Sequence, residues 1–260
     1  MSKNYWAERQ AAALEKLTDK SIAETEKQLE KYYFSSMKKI LGQFESTYNK
    51  VLLSISEGRE PTPADLYKLD SYWMMQGQLT QELQKLGNKQ AELMSKKFIE
   101  QYLTIYDAIA LKGEPSFRTV DEKMAKQLIN SIWVADGKSW SQRIWDNTSR
   151  LAATLNEELI HCVIAGKKTT ELKEQLQKRF KVSYDRADSL VRTEMAHLQT
   201  EAAKQRYKDY GITEVEVLSE RDEKLCDICK PHDGERYPIN GRMPVPFHPN
   251  CRCTILPVVN

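Results

Sequence analysis

Four cysteines and one histidine near the C-terminus have the clearest potential for chemistry in this chain. They form the pattern Cys226-x-x-Cys229, then eighteen intervening residues, then His248-x-x-Cys251-x-Cys253. Two close ligand pairs separated by a loop are typical of zinc sites, because a Cys-x-x-Cys turn places two thiolates on one ion. We predict a tetrahedral Zn²⁺ site with Cys226, Cys229, His248 and Cys251 as ligands. Cys253 is a fifth candidate, and it would replace His248 if the imidazole points away.

We expect this metal to be structural. A catalytic zinc keeps an open coordination position, whereas this sequence offers four or five protein ligands. The last fifty residues contain few large apolar side chains, so we expect this segment to need a metal in order to fold. Disulfides are not expected in the reducing cytoplasm where the chain is made. The alternatives are a thioredoxin-like redox pair, which requires a βαβ context that the preceding sequence lacks, and unrelated buried cysteines.

Two Glu-x-x-His pairs offer a second metal chemistry. They are Glu158 with His161 and Glu194 with His197, and such pairs on two helices occur in di-iron carboxylate bundles. That site also needs a glutamate from each of two further helices, and no glutamate stands out for this role. We therefore interpret His161 and His197 as ordinary helix residues and keep the di-iron bundle as a remote alternative.

Glu194 also falls on an apolar stripe, three residues after Val191 and four before Leu198. A carboxylate in such a position needs a partner. We predict a structural clamp in which Glu194 accepts hydrogen bonds from the Cys/His segment or from an arginine such as Arg192 or Arg252. Arg192 is two residues from Glu194, so the two side chains do not face each other along a helix and each needs its own partner. A catalytic acid is the less favoured interpretation.

A group of basic residues offers a possible DNA contact, although the interleaved Glu171 and Glu174 favour a solvated helix face instead. Its members are Lys167, Lys168, Lys173, Lys178, Arg179 and Lys181. Trp133, Trp140 and Trp145 could stack on bases, but core packing is the default for such residues. The stretch 72–75 (YWMM) is a candidate partner surface, because aromatic residues and methionine are enriched at interfaces.

The residues before about Gly211 are predicted to be helical. Apolar residues recur at a spacing of three and four, and the clearest stripe is Tyr33, Met37, Ile40, Phe44, Tyr48, Val51 and Ile55. We predict a helix break at 57–63, and a second helical stretch over 64–111 with interruptions near Gly77 and Gly87 and a stop at 112–115. Ser139 and Gln142 form a capping box that begins a further helix. We predict two separate helices after it, with Ser183 as the N-cap of the second.

The last fifty residues have a different character. Six of the nine prolines and four of the five cysteines lie there, so this segment cannot be helical. The alternation in Glu214 to Leu218 predicts a strand, and Asp233-Gly234 predicts a hairpin turn. The fold class is therefore mainly α, an elongated helical body followed by a small β-containing, zinc-braced C-terminal module.

The charge balance limits the function. The chain has 39 basic and 37 acidic residues, for a formal charge of +2, which argues against a strong sequence-independent grip on nucleic acid. No apolar run approaches the roughly 20 residues that a membrane span needs, and the polar N-terminus is unlike a signal peptide. We expect a soluble cytoplasmic chain with no membrane partner and no small-molecule substrate.

Several of these features together resemble the phage minor head proteins, also called the Mu F-like head morphogenesis family. The residues that carry the resemblance are the 192–194 triplet (RTE), the turn at Gly211, Asp222, the cysteine pair, Asp233-Gly234, the 246–253 segment (PFHPNCRC) and Pro257. The similarity covers about 139–257. On this basis the chain divides into an N-terminal long-helix region (1–130), the helical core of a head-morphogenesis-like domain (131–211) and the zinc-binding module (212–260).

The resemblance implies a minor capsid protein of the virion. Such a protein is assembled in the host cytoplasm, associates with the portal protein and capsid components, lies inside the head or at the portal vertex, and in some relatives contacts phage DNA or influences its release. Some relatives carry a toxin or nuclease domain after the Cys/His segment. This sequence extends seven residues beyond Cys253, so we expect no such domain in it. We expect no enzyme activity. The alternative from another class is a metal-dependent nuclease of the HNH type, in which His248 is catalytic and Asn250 belongs to the active site.

Overall fold

The computed structural model of this chain describes residues 5–54, 62–110, 122–219, 225–241 and 243–259. Within these ranges the chain is mainly α-helical with a small antiparallel sheet, as predicted. The helices are α1 (Tyr5–Ser54), α2 (Pro63–Tyr67), α3 (Asp70–Ala108), α4 (Glu122–Ile129), α5 (Trp140–Ile164) and α6 (Thr169–Asp209). The strands are β1 (Glu214–Leu218), β2 (Arg236–Pro238) and β3 (Thr254–Pro257), and a 3₁₀ turn covers Lys230–His232. None of the described helices has the length and apolarity that crossing a bilayer requires.

Two compact units make up the chain, and each contains segments that are distant in sequence. The first contains Met1–Glu26, Leu93–Trp140 and Ser189–Asn260, and the second contains Lys27–Glu92 and Ser141–Asp188. These boundaries follow spatial proximity, whereas the three regions 1–130, 131–211 and 212–260 follow composition and resemblance. That three-region division stays a prediction.

The apolar stripe of α1 packs in the core of the second unit. Tyr33, Ile40, Phe44, Tyr48 and Val51 are all buried, as their spacing predicts, and Met37 packs against them. Ile55, the last member of the predicted stripe, lies outside the described residues, as do most of the predicted break at 57–63 and the predicted stop at 112–115.

Three predicted helix breaks are wrong. Helix α3 continues through both Gly77 and Gly87, and its actual boundary with α2 falls at Lys68 and Leu69. Helix α6 is a single helix of 41 residues, so Ser183 is not an N-cap. Ser183 is buried inside α6, where its carbonyl accepts a hydrogen bond from Asn147 Nδ2 at 2.8 Å. Tertiary partners therefore satisfy polar groups that the local sequence pattern assigned to a helix terminus.

The two glycines of α3 differ in their surroundings, which leads to a first prediction. A Cβ atom added at Gly87 would lie 2.6 Å from Cζ3 of Trp145, while nothing lies within 4 Å of one added at Gly77. Gly77→Ala should raise the unfolding free energy by up to about 1 kcal/mol through helix propensity. Gly87→Ala should lower it by about 1 kcal/mol, because overpacking outweighs the same gain. Chemical denaturation of the two variants checks this contrast, which fails if both substitutions stabilise the chain equally.

The sheet has the order β2-β1-β3, with both pairs antiparallel. The predicted strand at Glu214–Leu218 is confirmed as β1, with Val215 and Val217 buried as its alternation requires. The predicted turn at Asp233-Gly234 immediately precedes β2, and Gly234 has a φ of +79°, a conformation that favours glycine. The backbone N–H of Gly234 donates to Val217 O at 2.9 Å. This pairing brings the segment after the first cysteine pair back along β1.

Candidate metal centre

Two tight turns present the predicted ligands. In the first, the backbone N–H groups of Cys229 and Lys230 both donate to Cys226 O, at 3.1 and 3.0 Å. In the second, the backbone N–H of Cys251 donates to His248 O at 3.2 Å. The first turn follows β1, and the second directly precedes β3. Because β1 and β3 are paired in the sheet, the two turns are held at the same end of it.

The structure brings all five predicted ligands together. His248 Nε2 lies 3.1 Å from both Cys226 Sγ and Cys229 Sγ, and Cys229 Sγ lies 3.6 Å from Cys251 Sγ. Cys229, Cys251 and Cys253 form a second group with mutual ligand-atom distances below 4.8 Å. Tetrahedral zinc with Zn–S bonds of about 2.3 Å requires ligand atoms about 3.5 to 3.8 Å apart. The Cys229–Cys251 separation lies in this range, whereas the two His248 contacts at 3.1 Å are hydrogen-bond distances that would lengthen by about 0.5 Å around a shared ion. The donor types, thiols and an imidazole, suit zinc.

The orientation of His248 suits a ligand. Its Nδ1 lies 2.7 Å from Pro249 O, and a carbonyl only accepts, so Nδ1 carries the proton. The lone pair of Nε2 then faces the two thiols. A second hydrogen bond of this kind fixes the tautomer in many metal sites.

The cysteine pKa values are shifted in different directions. Burial raises the pKa of Cys229 to about 12, so a neighbouring cation is needed to hold this sulfur as a thiolate. The hydrogen bond with Cys253 lowers the pKa of Cys251 to about 5. The pKa of Cys226 is also lowered, chiefly by the backbone N–H of Cys229. These shifts describe the thiols before any metal binds.

A supporting layer of side chains packs beside the two turns. The ring of His232 stacks on Phe247 with centroids 4.2 Å apart, and its Nδ1 lies 2.6 Å from Glu235 Oε2. The hydroxyl of Tyr237 donates to the same carboxylate oxygen at 2.6 Å. Phe247 precedes a predicted ligand and His232 follows the first cysteine pair by three residues, so this stack connects the two ligand segments. Phe247 lies in the 246–253 segment that carries the resemblance, whereas His232 and Glu235 have no signal in the sequence beyond their proximity to the ligands.

The Arg192-Thr193-Glu194 triplet on α6 contacts three different segments. Arg192 forms an ion pair with Glu26 of α1. Thr193 Oγ1 accepts a hydrogen bond from the backbone N–H of Asn250 at 3.1 Å, which anchors the second ligand turn to α6. Glu194 is buried, as its place on the apolar stripe predicts, and it accepts a hydrogen bond from Trp133 Nε1 at 3.0 Å. Trp133 and Thr193 are partners that the sequence analysis did not predict.

A chain of buried hydrogen bonds connects the sheet to three helices. Gln101 Nε2 donates to Thr18 Oγ1 at 2.6 Å, and Thr18 Oγ1 donates to Gln199 Oε1 at 2.6 Å. Gln199 Nε2 then donates to Thr254 Oγ1 on β3 at 3.2 Å. A further anchor is Lys204, whose Nζ donates to Gly241 O at 3.3 Å. The C-terminal segment that carries the candidate ligands is thus fixed on α6 through specific polar contacts.

Residues 153–256 match the family described as phage Mu protein F like protein. The match covers less than half of the chain, and it confirms the predicted resemblance and supports a role in phage head morphogenesis. No curated protein and no solved structure matches the chain. The Mu F-like segment runs from α5 to β3 and contains all five predicted ligands together with the triplet on α6. Glu26, Trp133 and Thr18, which contact residues of this segment, lie outside it.

The other candidate residues have partners of their own. Glu158 pairs with Arg179, and Lys181 pairs with Asp185. Lys173 pairs with Glu45 at 2.8 Å. These ion pairs favour the solvated helix face over a dedicated DNA contact. Lys168 and Lys178 are exposed and take part in none of these three ion pairs. Lys167 is half-buried.

The three tryptophans and the 72–75 stretch are described in the structure. Trp140 is buried and its Nε1 donates to Ile129 O at 2.8 Å, while Trp145 is partly exposed. Within 72–75, Tyr72 and Met75 are buried and Trp73 and Met74 are exposed.

The two histidines of the Glu-x-x-His pairs are in different environments. His161 is exposed and forms a group of possible ligands with Glu158 and Cys162. The Glu158 carboxylate, however, is already ion-paired with Arg179. His197 is buried and stacks on Trp133 with centroids 4.1 Å apart. Among the described residues, His197 Nδ1 has no hydrogen-bond partner.

The burial of His197 leads to a second prediction. Desolvation lowers the pKa of His197 from 6.5 to about 4, so the unfolded chain takes up this proton first as the pH falls. The free energy of unfolding is therefore highest above pH 6.5, where His197 is neutral in both the folded and the unfolded chain. It falls by about 3 kcal/mol as the pH drops from 6.5 towards 4. His197→Phe keeps the stack on Trp133 and should remove this part of the pH dependence. Urea unfolding of both proteins between pH 4 and 7 measures it, and parallel profiles would contradict the prediction.

Proposed function

We propose that this chain is a phage minor head protein that associates with the portal protein during head assembly. The observation that carries this proposal is the match of residues 153–256 to the Mu F-like family. The matched segment contains the whole of α6, the three-stranded sheet except its last residue, and the predicted metal ligands. The chain would be a structural component of the virion, in the head interior or at the portal vertex.

The contacts of the metal-binding segment support a structural role. The segment is anchored on α6 by the Thr193 and Gln199 hydrogen bonds and by Tyr207, whose hydroxyl lies 3.5 Å from Ile255 O. A rigid module of this kind presents a fixed surface, and a preorganised surface lowers the entropic cost of binding a partner. Docking on the portal ring is the use that we propose for it.

Copurification tests the portal association. The tagged chain is expressed together with the portal protein of its own phage, and with the major capsid protein as a separate control. We expect the portal protein to copurify in the absence of capsid protein. Retention of capsid protein alone, or of neither protein, would overturn the portal assignment. Mass spectrometry of purified phage heads then tests whether the chain is a virion component.

DNA contact is a separate hypothesis for Lys168, which directly precedes α6, and for Lys178 on the exposed face of α6. A contact through Lys168 and Lys178 would be electrostatic, so it should weaken steeply between about 50 and 200 mM salt. Lys168→Ala with Lys178→Ala should then weaken binding to duplex DNA and reduce the slope of this salt dependence by about 2. Unchanged binding in the double variant would remove these lysines from the hypothesis.

The nuclease alternative requires His248 to act as a general base. Both ring nitrogens are engaged, Nδ1 by Pro249 O and Nε2 by the two thiols, and this arrangement favours a ligand over a base. Incubation of the protein with plasmid and Mg²⁺ or Mn²⁺ tests the alternative. Cleavage that disappears in His248→Ala while the fold persists would support the nuclease and contradict the structural role.

A further inference from the structure

We infer that the chain binds one structural zinc ion through Cys226, Cys229, His248 and Cys251, and that Cys253 is held beside this site as a hydrogen-bonding thiol and not as a ligand. The inference concerns the composition of the site, so it does not depend on the proposed association with the portal.

The five donor atoms lie in two overlapping groups. Cys226, Cys229 and His248 form one, and Cys229, Cys251 and Cys253 form the other. A structural zinc takes four ligands, so one of the five is excluded. Cys229 belongs to both groups and His248 Nε2 lies 3.1 Å from two thiols. The choice for the fourth position is therefore between Cys251 and Cys253.

Ser219 distinguishes these two sulfurs by position. The Ser219 hydroxyl donates to Cys229 O at 3.2 Å, and Cys253 Sγ lies 3.5 Å from the same hydroxyl oxygen. The Cys253 sulfur therefore packs against a hydroxyl that also holds the backbone of the first ligand turn. Side chains placed in this way support the ligands of a metal site, and on this placement we assign Cys253 to the supporting layer.

Ser219 is itself held in place. It is buried at the end of β1, and its backbone N–H donates to Asp233 Oδ1 at 2.9 Å. The same side chain thus positions the Cys253 thiol and the backbone of the first ligand turn. Cys251, in contrast, lies in the second turn, with its sulfur 3.6 Å from Cys229 Sγ. That separation is the one that two sulfurs on a single tetrahedral ion require.

The donor set selects the metal. Three thiolates and one imidazole are soft and borderline ligands, which suit zinc and are poor ligands for Mg²⁺ or Ca²⁺. Four protein ligands close the coordination sphere, and Cys229 and Cys251 are buried. The ion would connect the first turn to the second, across the eighteen residues between Cys229 and His248.

X-ray absorption at the zinc edge of the purified chain tests, without any mutation, whether His248 or a fourth cysteine completes the ligand set. It does not separate Cys251 from Cys253, since either sulfur gives three sulfurs together with His248. We expect three sulfurs at about 2.3 Å and one nitrogen at about 2.0 to 2.1 Å. Four sulfurs would show that Cys253 is a ligand and would overturn the assignment. A protein that is purified without zinc and does not take up added Zn²⁺ would overturn the site itself.

A matched pair of variants gives an independent measurement. Cys251→Ser should lower zinc affinity by at least about 100-fold, since it removes a ligand. Cys253→Ser keeps a hydroxyl donor for Ser219 and should change the affinity by less than about tenfold, at or below the range for supporting residues. Competition with a chromogenic chelator measures both. Equal losses, or a larger loss in Cys253→Ser, would overturn the assignment. Copurification of Cys253→Ser with the portal protein is measured separately. A failure of the ligand assignment can then be told apart from a failure of the proposed portal association.

Discussion

Replacing Cys229 with serine is expected to detach the C-terminal segment from α6 and to expose it to proteases. Cys229 is the residue that both ligand groups share, and it is buried. Zinc binding to small structural sites contributes about 10 to 16 kcal/mol, which is comparable to the whole stability of a typical domain. Loss of the proposed ion should therefore unfold this segment. Limited proteolysis with mass spectrometry should show new cleavage within 225–259.

Cys162 provides the matched control. It is a buried cysteine on α5, outside the cluster formed by the other four. Cys162→Ala should cost only about 1 kcal/mol for a small cavity and should leave both the zinc content and the protease resistance of 225–259 unchanged. If Cys229→Ser resists proteolysis as well as Cys162→Ala does, the metal does not hold this segment together.

Replacing Arg206 with methionine is expected to lower the unfolding free energy by about 3 kcal/mol. Arg206 is buried on α6, with its guanidinium over the rings of Tyr106 at 4.5 Å and Tyr210 at 4.9 Å. Its Nε donates to Ile109 O at 3.1 Å, after the end of α3. Methionine keeps much of the aliphatic stem but loses the charged hydrogen bond and both cation–π contacts, which together account for this magnitude.

Lys208 is the control for this substitution. It lies two residues further along the last turn of α6 and is half-buried. Lys208→Met should change the stability by less than about 1 kcal/mol, the size of its interaction with the helix dipole. Urea unfolding at pH 7 measures both variants. Equal effects would mean that the Tyr106 and Tyr210 rings do not depend on the Arg206 cation.

The elements with a strong local signal were predictable from the sequence. The Ser139 capping box gave the start of α5, and the alternation in Glu214–Leu218 gave β1. The errors arose where distant residues override a local signal. Ser183 has the pattern of an N-cap, but its carbonyl is bonded by Asn147 on another helix. Gly87 has the pattern of a helix break, but it makes room for Trp145.

The same distinction applies to the metal site. The spacing of the cysteines and of His248 identified all five candidate ligands from the sequence, because the ligands of each turn are close together in the chain. The choice between Cys251 and Cys253 depends on Ser219, which is 34 residues from Cys253 and has no pattern of its own. The hydrogen-bond partners of Thr193 and Trp133 were not predicted for the same reason, since the partner of a hydroxyl or an indole N–H is set only when the chain has folded.

Hydrogen exchange of the β1 and β3 amides, before and after a chelator removes zinc from the full-length chain, tests the central claim most directly. We predict slow exchange in the zinc-loaded protein and loss of this protection from both strands when the ion is removed, with recovery on adding back one equivalent of Zn²⁺. Strands that remain equally protected after the chelator has stripped the protein of metal would contradict the account.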